Sequence, residues 1–584
     1  MRGSHRSGAR IRHPDSDAGH RWPSERSTLR VEAADSGPGL KPEEGSRRES
    51  QWDPLRHRTF RALWIANVFS AIGTWIHQVG AAWLMTDLAP TPILVSLVQA
   101  SAGLAMFLFV LPAGVLADVL DRRRVLLASQ LWLMASAAVL GLLTITGGTT
   151  PALLLVFTFL MGTGGALMQP AWRAVLPELV PRRQLPAAID LVGLGVNLAR
   201  AVGPAVGGLL VANAGAGAAF LLNAATYMGV VFVVTGWRRP NVPGPAPAEQ
   251  FVGALRAGIR YARHTPQMNA VLVRLGLFVL PASALWALLP LIARVELGTD
   301  AAGYGWILAA FGAGAVTGAL TLGRLRQRLS LDRIATTGTL FFGAAMVGIA
   351  LVRSWPLFLV LSWIAGIGWL HILTTLNTAA QTVLPSWVRA RGMALFVLVF
   401  FLASTLGSMF WGAVASQLGL GITILVAGVA VLIGAGSRYR FRIKNTVGLD
   451  LAPTRHWPAP TVAESIEPQE GPVLVSVGYK VDPAKLAEFE AAMADLRRRR
   501  RRSGAYFWDL FVDSADPDRH IEVFMVDSWA EHLRQHERVT ALDRVAESRV
   551  QACLVKGEYP RVQHFLAARG WRSRLRPRRE EPSA

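Results

Sequence analysis

The sequence predicts an all-α membrane protein with twelve transmembrane helices in two six-helix halves, followed by a small soluble α/β domain. Three observations support this fold class. Only 17% of the 584 residues are charged, whereas soluble globular proteins carry about 25%. Long apolar runs recur between residues 60 and 438, where twelve spans would need about 240 to 300 residues. After residue 470 the pattern changes to short alternating strands and polar helices.

Short polar connections separate the twelve predicted spans. The spans cover residues 60–86, 94–118, 125–146, 151–172, 186–211, 217–236, 270–293, 303–323, 334–352, 355–380, 388–416 and 421–437. Residues 1–52 contain no apolar run, so they are predicted to form a disordered cytoplasmic tail and not a cleaved signal peptide. The single Cys553 excludes an intrachain disulfide.

Arginines mark every second connection, and this pattern predicts the orientation of the chain. The basic connections carry Arg122–Arg124, Arg173, Arg182, Arg183, Arg256, Arg260, Arg263, Arg324–Arg333, Arg389 and Arg391. The other connections are nearly free of cations, with Arg294 and Arg353 as exceptions. Because cytoplasmic loops are rich in Lys and Arg, both termini are predicted to be cytoplasmic, in the inner membrane of a bacterium. The net charge of +21 therefore indicates membrane topology and not nucleic-acid binding.

A proline-rich central loop, residues 237–269, divides the membrane region into halves at 53–236 and 270–440. Short sequence matches recur at the same place in each half. Val175-Leu176-Pro177 before the fifth span corresponds to Val383-Leu384-Pro385 before the eleventh, and Gly203 and Gly208 correspond to Gly407 and Gly412. Such matches indicate an internal duplication, as found in many membrane transporters.

The connection after the second span reads Gly114-Val-Leu-Ala-Asp118-Val-Leu-Asp121-Arg122-Arg123-Arg124. It resembles the helix 2–3 motif of the major facilitator superfamily, G-x-L-A-D-R-x-G-R-R, with departures at Val119 and Asp121. The resemblance implies a conformational switch, in which a carboxylate–arginine pair breaks when the two halves rock. Its members would be Gly114, Asp118, Arg122 and Arg123. The alternative is that the arginines only hold the loop in the cytoplasm.

The fifth span contains Gly203-Pro204-Ala-Val-Gly207-Gly208, which resembles the antiporter motif G-P-x-x-G-G of exporters in this superfamily. Ordinary tight packing is the alternative, since glycines permit close helix approach. Residues 169–210 resemble the exporter subfamily that includes enterobactin exporters and macrolide-efflux-like proteins. The resemblance covers about residues 52–440 and implies export of a small molecule, with the proton as coupling ion.

Polar residues inside the spans are the candidates for the substrate or proton pathway, because each is costly unless it faces a cavity or a partner. Two polar stripes each lie within about a 100° arc. They comprise Asn67, Ser70, Thr74, His77 and Gln78 on the first span, and His371, Thr374, Thr375, Thr378 and Gln381 on the tenth. In the superfamily, helices 1, 4, 7 and 10 surround the central cavity. Interhelical hydrogen bonding without substrate contact is the alternative.

Asp190, Asn197 and Arg200 share one face of the fifth span. Arg200 is the only arginine well inside a span of the N-terminal half, so it requires a partner or an anionic ligand. No acidic residue lies at mid-membrane, so proton coupling lacks an obvious carrier. The remaining candidates for the cavity lining are Met161, Met168, Gln169 and Trp286. Such a lining suits an amphipathic substrate.

A linker at residues 441–470 precedes a domain at 471–569, and a basic tail follows at 570–584. The domain is predicted to have strands at 473–481, 506–512, 521–527 and 561–566, and helices at 483–500 and 529–554. This βαββαβ order is ferredoxin-like. Ser528–His532 with Gln535 and His536 resembles the dimeric α/β domains of the antibiotic-biosynthesis-monooxygenase type. His536 is interpreted as a packing residue, with catalysis as the alternative. The resemblance also implies dimerisation through this domain.

The leading hypothesis is a secondary exporter of a small amphipathic molecule, such as a siderophore or an antibiotic. The alternatives are a membrane-tethered monooxygenase-like enzyme and a ligand sensor that acts through the C-terminal domain. Twelve spans with polar stripes exceed what anchoring needs, so the chain is predicted not to be an enzyme. No cofactor, metal or nucleic-acid partner is predicted. The Arg497–Arg502 run lies at a helix C-terminus, where it could touch anionic lipid.

Overall fold

The computed structural model describes residues 50–237, 251–444, 454, 457, 460 and 466–567. The predicted N-terminal tail up to residue 49, part of the central loop, most of the linker and the basic tail lie outside these ranges. The side chains of Val115, Asp118, Val119 and residues 251–257 are also outside the described part. Two compact units divide the chain, one within residues 43–449 and one that includes residues 450–584.

The membrane unit is built from long helices. They are α1 (Arg58–Leu88), α2 (Pro92–Val119), α3 (Arg122–Ile145), α4 (Pro151–Leu179), α5 (Leu185–Gly236), α6 (Phe251–His264), α7 (Pro266–Leu291), α8 (Ala301–Arg328), α9 (Leu331–Leu351), α10 (Trp355–Val383), α11 (Ser386–Leu418) and α12 (Leu420–Ala435). Within the described residues, ten helices are long and apolar enough to cross a membrane. One of the ten contains all of α5, where two helices join at a non-helical residue, Gly215. The 31-residue α1, which carries the first polar stripe, is not among the ten.

Helix ends lie a few residues outside the predicted apolar runs because polar caps fix them. Asp121, Asp300 and Ser330 accept hydrogen bonds from backbone N–H groups in the first turns of α3, α8 and α9. Such caps satisfy N–H groups that have no partner inside the helix. Asp121, a departure from the superfamily motif, therefore has a structural role as the cap of α3.

The helices pack as two groups. In the first, α5 packs against α1 and α3, and α4 packs against α2 and α3. In the second, α10 packs against α8 and α9, and α12 packs against α7 and α9. The pairs α5–α8 and α2–α11 join the two groups. Helix α6, inside the predicted central loop, lies against α11 and α7, and its Tyr261 hydroxyl donates to the Val383 carbonyl at 3.1 Å.

The C-terminal unit is a four-stranded antiparallel sheet covered by helices. Its elements are β1 (Val473–Lys480), α13 (Leu486–Ser503), β2 (Phe507–Val512), β3 (Arg519–Val526), α14 (Trp529–Arg538), α15 (Ala541–Gln551) and β4 (Arg561–Leu566). The strand order is β2-β3-β1-β4. Alternate residues of β1, Val473, Val475 and Val477, are buried against Phe489 and Phe524. This core contains only residues of the C-terminal unit.

The single second helix predicted at 529–554 is wrong, because the chain forms two helices there. Thr540 and Asp543 make a capping box at the first turn of α15, in which the Thr540 hydroxyl accepts from the Asp543 backbone N–H and the Asp543 carboxylate accepts from the Thr540 backbone N–H. A Thr with an acidic residue three positions later is a strong start signal for a new helix. Val539 between the two helices is extended, so α14 and α15 take different directions.

The arginine run at the end of α13 is largely engaged inside its own domain. Arg500 is buried and pairs with Glu522 at 3.1 Å and Glu547 at 3.2 Å. Arg499 and Arg502 both pair with Asp543, at 2.8 and 2.7 Å. These three arginines therefore hold α13, α15 and β3 together, and they are not available for lipid headgroups as the sequence suggested.

Candidate transport pathway

The two helix groups meet at the end of the membrane unit formed by the α1–α2 and α7–α8 connections, which we term the closed end. Arg294, just after α7, pairs with Asp87 at the end of α1 and donates to the Thr86 hydroxyl at 3.0 Å. The Arg294 guanidinium also lies 5.8 Å from the centre of the Trp83 ring, and Trp83 stacks on Tyr304 of α8. Polar and aromatic contacts thus connect the halves at this end.

Close backbone contacts extend the closed end along α5 and α8. A Cβ atom on Gly208 would lie 2.6 Å from the Ala301 carbonyl oxygen and 2.8 Å from the Cα of Gly305. Further along, a Cβ on Gly312 would lie 2.9 Å from the carbonyl oxygen of Arg200. The two helices therefore touch between Gly208 and Arg200 of α5. Only glycine fits at positions 208 and 312.

The same faces of α5 and α8 are exposed toward the other end of the unit, the basic end, which carries Arg122–Arg124 and Arg324–Arg333. Asp190 and Asn197 lie within about 40° of Pro204 around α5, yet both are exposed. Ala319 and Gly323, on the contact face of α8, are exposed as well. A cleft between the halves therefore opens toward the basic end.

Arg200 stands where this cleft begins. Its side chain is partly buried, and among the described residues its guanidinium has no hydrogen-bond or ion-pair partner. Asp190 and Asn197, the other two predicted residues of this face, lie further along the open cleft. The structure thus places Asp190, Asn197 and Arg200 on one accessible face, with the cation at its inner limit.

The polar stripe of α1 faces α5 within the same half. The Thr74 hydroxyl lies 3.1 Å from the Tyr227 hydroxyl and donates to the Ser70 carbonyl. The buried His77 ring packs against Phe220, with ring centres 4.6 Å apart, and its Nδ1 has no hydrogen-bond partner within the described part of the chain. Asn67 is partly buried and Gln78 is exposed. At Thr74 and His77 the contacts are those of interhelical packing.

The stripe of α10 faces α8 in a similar way. His371 Nε2 lies 3.2 Å from the Thr321 hydroxyl and 3.1 Å from the Gly318 carbonyl oxygen. Thr378 accepts a hydrogen bond from Arg326 at 2.9 Å, and the fully buried Thr375 hydroxyl has no partner. His371 and Thr378 of this stripe therefore connect α10 to α8.

The arginines of the superfamily-like motif make contacts inside the first half. Arg122 pairs with Glu178 of α4 at 3.0 Å. Arg123 donates to the carbonyl oxygens of Val234 and Thr235 at 2.9 and 2.7 Å, at the last turn of α5. A Cβ on Gly114 would contact no described atom within 4 Å, and the side chain of Asp118 lies outside the described residues. The arginines thus tie the start of α3 to the ends of α4 and α5.

The antiporter-like motif divides its contacts between two helices. A Cβ on Gly203 would lie 2.6 Å from the Trp75 Cβ, and one on Gly207 would lie 2.9 Å from the Ile76 Cα. Both contacts hold α5 against α1. Gly208 and the Pro204 carbonyl face Gly305 of α8, so the motif serves both the packing within one half and the contact across halves.

A buried ion pair at the basic end escaped the sequence analysis. Arg274 of α7 donates to Asp332 of α9 at 2.6 Å, and the two side chains are 3% and 4% exposed. Asp332 also accepts from the backbone N–H of Ile443 and lies 3.5 Å from Arg438, both after α12. The Asp332 carboxylate therefore connects α7, α9 and the segment after α12. Asp332 lies within the basic connection Arg324–Arg333 in sequence, so the charge pattern predicted an exposed residue there.

Aromatic side chains cluster in the second half around Trp369. Trp286 lies 4.7 Å from Phe311 and 5.5 Å from Trp369, measured between ring centres. The Trp286 indole N–H is buried and has no hydrogen-bond partner among the described residues. Phe311 precedes Gly312, the residue that contacts Arg200. An unused donor, an aromatic surface and an unpaired cation thus lie on neighbouring helices.

Comparisons with known proteins agree with this architecture. Residues 49–571 match the family described as transmembrane secretion effector. The multidrug efflux pump Tap of Mycolicibacterium fortuitum is 27% identical over 380 residues, which are 63% of this chain and 92% of that protein. The enterobactin exporter EntS of Escherichia coli O1:K1 is 28% identical over 404 residues, 66% of this chain and 94% of that exporter.

Solved structures show the same fold at low sequence identity. A bacterial homologue of the human lysosomal transporter Spinster, in an inward-facing and occupied conformation, superimposes with a TM-score of 0.55 at 15% identity. The superposition covers 66% of this chain and 97% of that chain. A peptide-bound transporter of the POT family gives a TM-score of 0.56 at 16% identity, over 66% of this chain and 96% of that chain.

Proposed function

Because the chain belongs to the transmembrane secretion effector family, we propose that it exports small amphipathic molecules carrying an anionic group, driven by the proton gradient. The family and the fold make it a secondary transporter of the major facilitator type. Two relatives that cover most of their own length are named as an efflux pump and an exporter. Their names support export as the direction of transport.

The proposed anionic group on the substrate is supported by Arg200. A cation inside a membrane span costs several kcal/mol unless it finds a partner or water (about 2.5 to 3.5 on insertion scales). Arg200 has no such partner among the described residues and lies at the inner limit of the open cleft. A carboxylate or phenolate of a substrate would supply the missing charge. A bidentate Arg–carboxylate pair would also orient the substrate.

The aromatic cluster supports the amphipathic part of the proposal. Binding sites for small molecules are mostly apolar, with a few polar groups that fix orientation. The ring faces of Trp286 and Trp369 offer apolar contact, and the buried indole N–H of Trp286 offers one directional donor. Gln78, Thr375 and Asn67 are further candidates for polar contact along the pathway.

The proposed topology has twelve spans, with both termini cytoplasmic in the inner membrane of a bacterium. The ten apolar helices become twelve when α1 is added and α5 is divided at Gly215. Thr74 and His77, which lower the hydropathy of α1, pack against α5, so we include α1 among the spans. On this topology the cleft opens to the cytoplasm, where an exporter loads its substrate.

Coupling to protons and the switch role of Asp118 rest on the superfamily resemblance. Asp332 is the buried carboxylate in the second half, and Arg274 holds it. Asp190 is exposed in the cleft. His77 and His371 contain imidazoles that could carry a proton, but each is packed between helices.

Counterflow in proteoliposomes tests the function directly. The purified chain would be assayed with enterobactin and a panel of anionic, neutral and cationic antibiotics, with and without an imposed pH gradient. We expect Arg200→Gln to lower transport of anionic compounds by about 10- to 100-fold, since a charged hydrogen bond contributes about 1.5–3 kcal/mol. Arg200→Lys should retain part of this activity.

Arg182→Gln is the matched control, because Arg182 is exposed at the basic end. It should transport every compound at the wild-type rate. Equal transport of anionic compounds by Arg200→Gln and the wild type would remove the proposed anion site. Absence of transport for the whole panel in the wild-type protein would count against the export function itself.

A further inference from the structure

We propose that the C-terminal domain binds one divalent transition-metal ion, of the class that prefers imidazole ligands and with zinc as its type, between His532, His536 and His564. One ring nitrogen of each of these three residues lies within 4.8 Å of one ring nitrogen of each of the others. Nothing in the transporter function requires such a cluster. The inference is independent of the proposed export activity.

The backbone brings the three imidazoles together from two elements. His532 and His536 are four residues apart on α14, so they share one face of the helix. His564 lies on β4, opposite Val475 of β1. Two histidines at this helical spacing with a third ligand from another element form a common zinc-binding arrangement.

The distances suit a metal ion after a small adjustment. The Nε2 atoms of His532 and His536 are 3.2 Å apart. Two imidazole nitrogens on a tetrahedral zinc, each at about 2.0–2.1 Å, are separated by about 3.3 Å. The ring centres of His532 and His564 are 4.7 Å apart, so a modest side-chain rotation completes the set. Three protein ligands leave the fourth position open to water or a small ligand.

The environment of the three histidines disfavours their charged forms. Burial, together with His536 and His564, lowers the pKa of His532 to about 3. Burial and the neighbouring His564 lower the pKa of His536 to about 4. A neutral imidazole is the form that binds metals. Trp529 and Trp457 pack against the cluster and enclose it.

Unpaired polar atoms beside the cluster give a second observation. Among the described residues, Nδ1 of the buried His532 and both amide atoms of the fully buried Gln535 lack a hydrogen bond of good geometry, although the Gln535 amide is close enough to His532 to act on its charge. Buried polar groups without partners are rare and require an explanation. A histidine that ligates a metal donates its other N–H to a nearby acceptor. When a metal occupies Nε2 of His532, Nδ1 carries the proton and Gln535 provides the adjacent acceptor.

Metal titration of the full-length purified chain tests the inference. His5, His13 and His20 precede the described residues, so every protein used would carry glutamine at these three positions to remove competing imidazoles. Zinc affinity and stoichiometry would be measured against a chromophoric chelator, and Co²⁺ would report geometry through its visible d–d bands. We expect one zinc per chain and a tetrahedral Co²⁺ spectrum.

Variants in and near the cluster provide the comparison. His564→Gln and His536→Gln should each lower zinc affinity at least 100-fold, and Gln535→Leu should lower it about 10- to 100-fold as an outer partner. His520→Gln is the matched control, because His520 is a buried imidazole of the same domain that packs against Phe489. Its zinc affinity should equal that of the parent.

Thermal melting of each variant without metal separates loss of a ligand from loss of the fold. A parent chain that takes up no saturable zinc overturns the proposal. Equal zinc affinity in the parent and in a folded His564→Gln variant overturns it as well. If His564→Gln fails to fold, the folded His536→Gln and Gln535→Leu proteins supply the same comparison.

Discussion

Arg294 and Arg353 are the two arginines that depart from the alternating charge pattern of the connections, and each is neutralised by a carboxylate. Arg294 pairs with Asp87 across the two halves, whereas Arg353 pairs with Glu296 inside the second half at 2.7 Å. The exceptions therefore carry little net charge, so they do not oppose the orientation inferred from the other arginines. The Arg353–Glu296 pair lies inside one half and can stay intact when the closed end opens. The Arg294–Asp87 pair joins the two halves and must break.

We expect Asp87→Asn to weaken the closed end. The pair is about half exposed, with side chains 38% and 47% accessible, so its loss should cost about 0.2–1 kcal/mol. That energy shifts the balance between the two transporter states by up to about fivefold. The shift can be measured as faster maleimide labelling of Ala301→Cys in a chain whose buried Cys553 is replaced by Ser.

Glu296→Gln is the control for this measurement, since it removes the same charge at the same end within one half. Its labelling rate should match the parent. If Asp87→Asn and Glu296→Gln label alike, the Asp87–Arg294 pair does not hold the closed end.

The charged residues that sequence reasoning misjudged have partners far along the chain. Arg274 and Asp332 are 58 residues apart, and Arg500 and Glu522 are 22 residues apart. A local pattern assigns such residues to solvent or lipid because it contains no information on tertiary partners. The His532–His536 spacing was visible in the sequence, but His564 joins them only through the register of β4 on β1.

At the scale of elements, α5 holds the first half together and also contacts the second half. Gly203 and Gly207 of the motif contact α1, whereas Gly208, one residue further along, contacts α8. One short sequence therefore serves two interfaces. Sequence periodicity also predicted polar stripes on α1 and α10. It could not tell which neighbour each stripe faces, because cavity and partner helix both require polar groups on one face.

We predict that Gly208→Ala prevents full closure of the α5–α8 contact. The added Cβ would overlap the Ala301 carbonyl and Gly305 Cα, and such overpacking costs about 1–3 kcal/mol. Counterflow should fall about 5- to 100-fold while the amount of inserted protein is unchanged. The Ala301→Cys labelling rate should rise in parallel.

Gly229→Ala, also in α5, is the control, because the nearest atom to a Cβ at that position is the Ala66 Cβ at 3.9 Å, an ordinary van der Waals distance. It should transport and label as the parent does. Normal counterflow by Gly208→Ala would show that the α5–α8 contact does not limit transport.

At the scale of the whole molecule, the two units have separate hydrophobic cores. The largest core cluster draws on helices α1–α12, and the core of the C-terminal sheet draws only on residues from Ile466 to Leu566. The sequence predicted this division from composition alone, since apolar helices and a short alternating sheet require different patterns. It placed the end of the membrane unit at residue 440. The buried Ile443, whose N–H donates to Asp332, extends the unit beyond that point.

We therefore expect a chain truncated after Lys444 to insert, fold and transport, whereas one truncated after Arg440 should be less stable. The shorter chain loses the Ile443 contact to Asp332 and leaves that buried carboxylate with fewer donors, at a cost of about 1–3 kcal/mol. Detergent melting of the two truncations and counterflow at equal protein amounts would measure the difference. The Lys444 truncation should also lose saturable zinc binding, since all three histidines are absent. If it folds, inserts and retains zinc binding but no longer transports, the C-terminal domain is required for transport and the metal lies elsewhere.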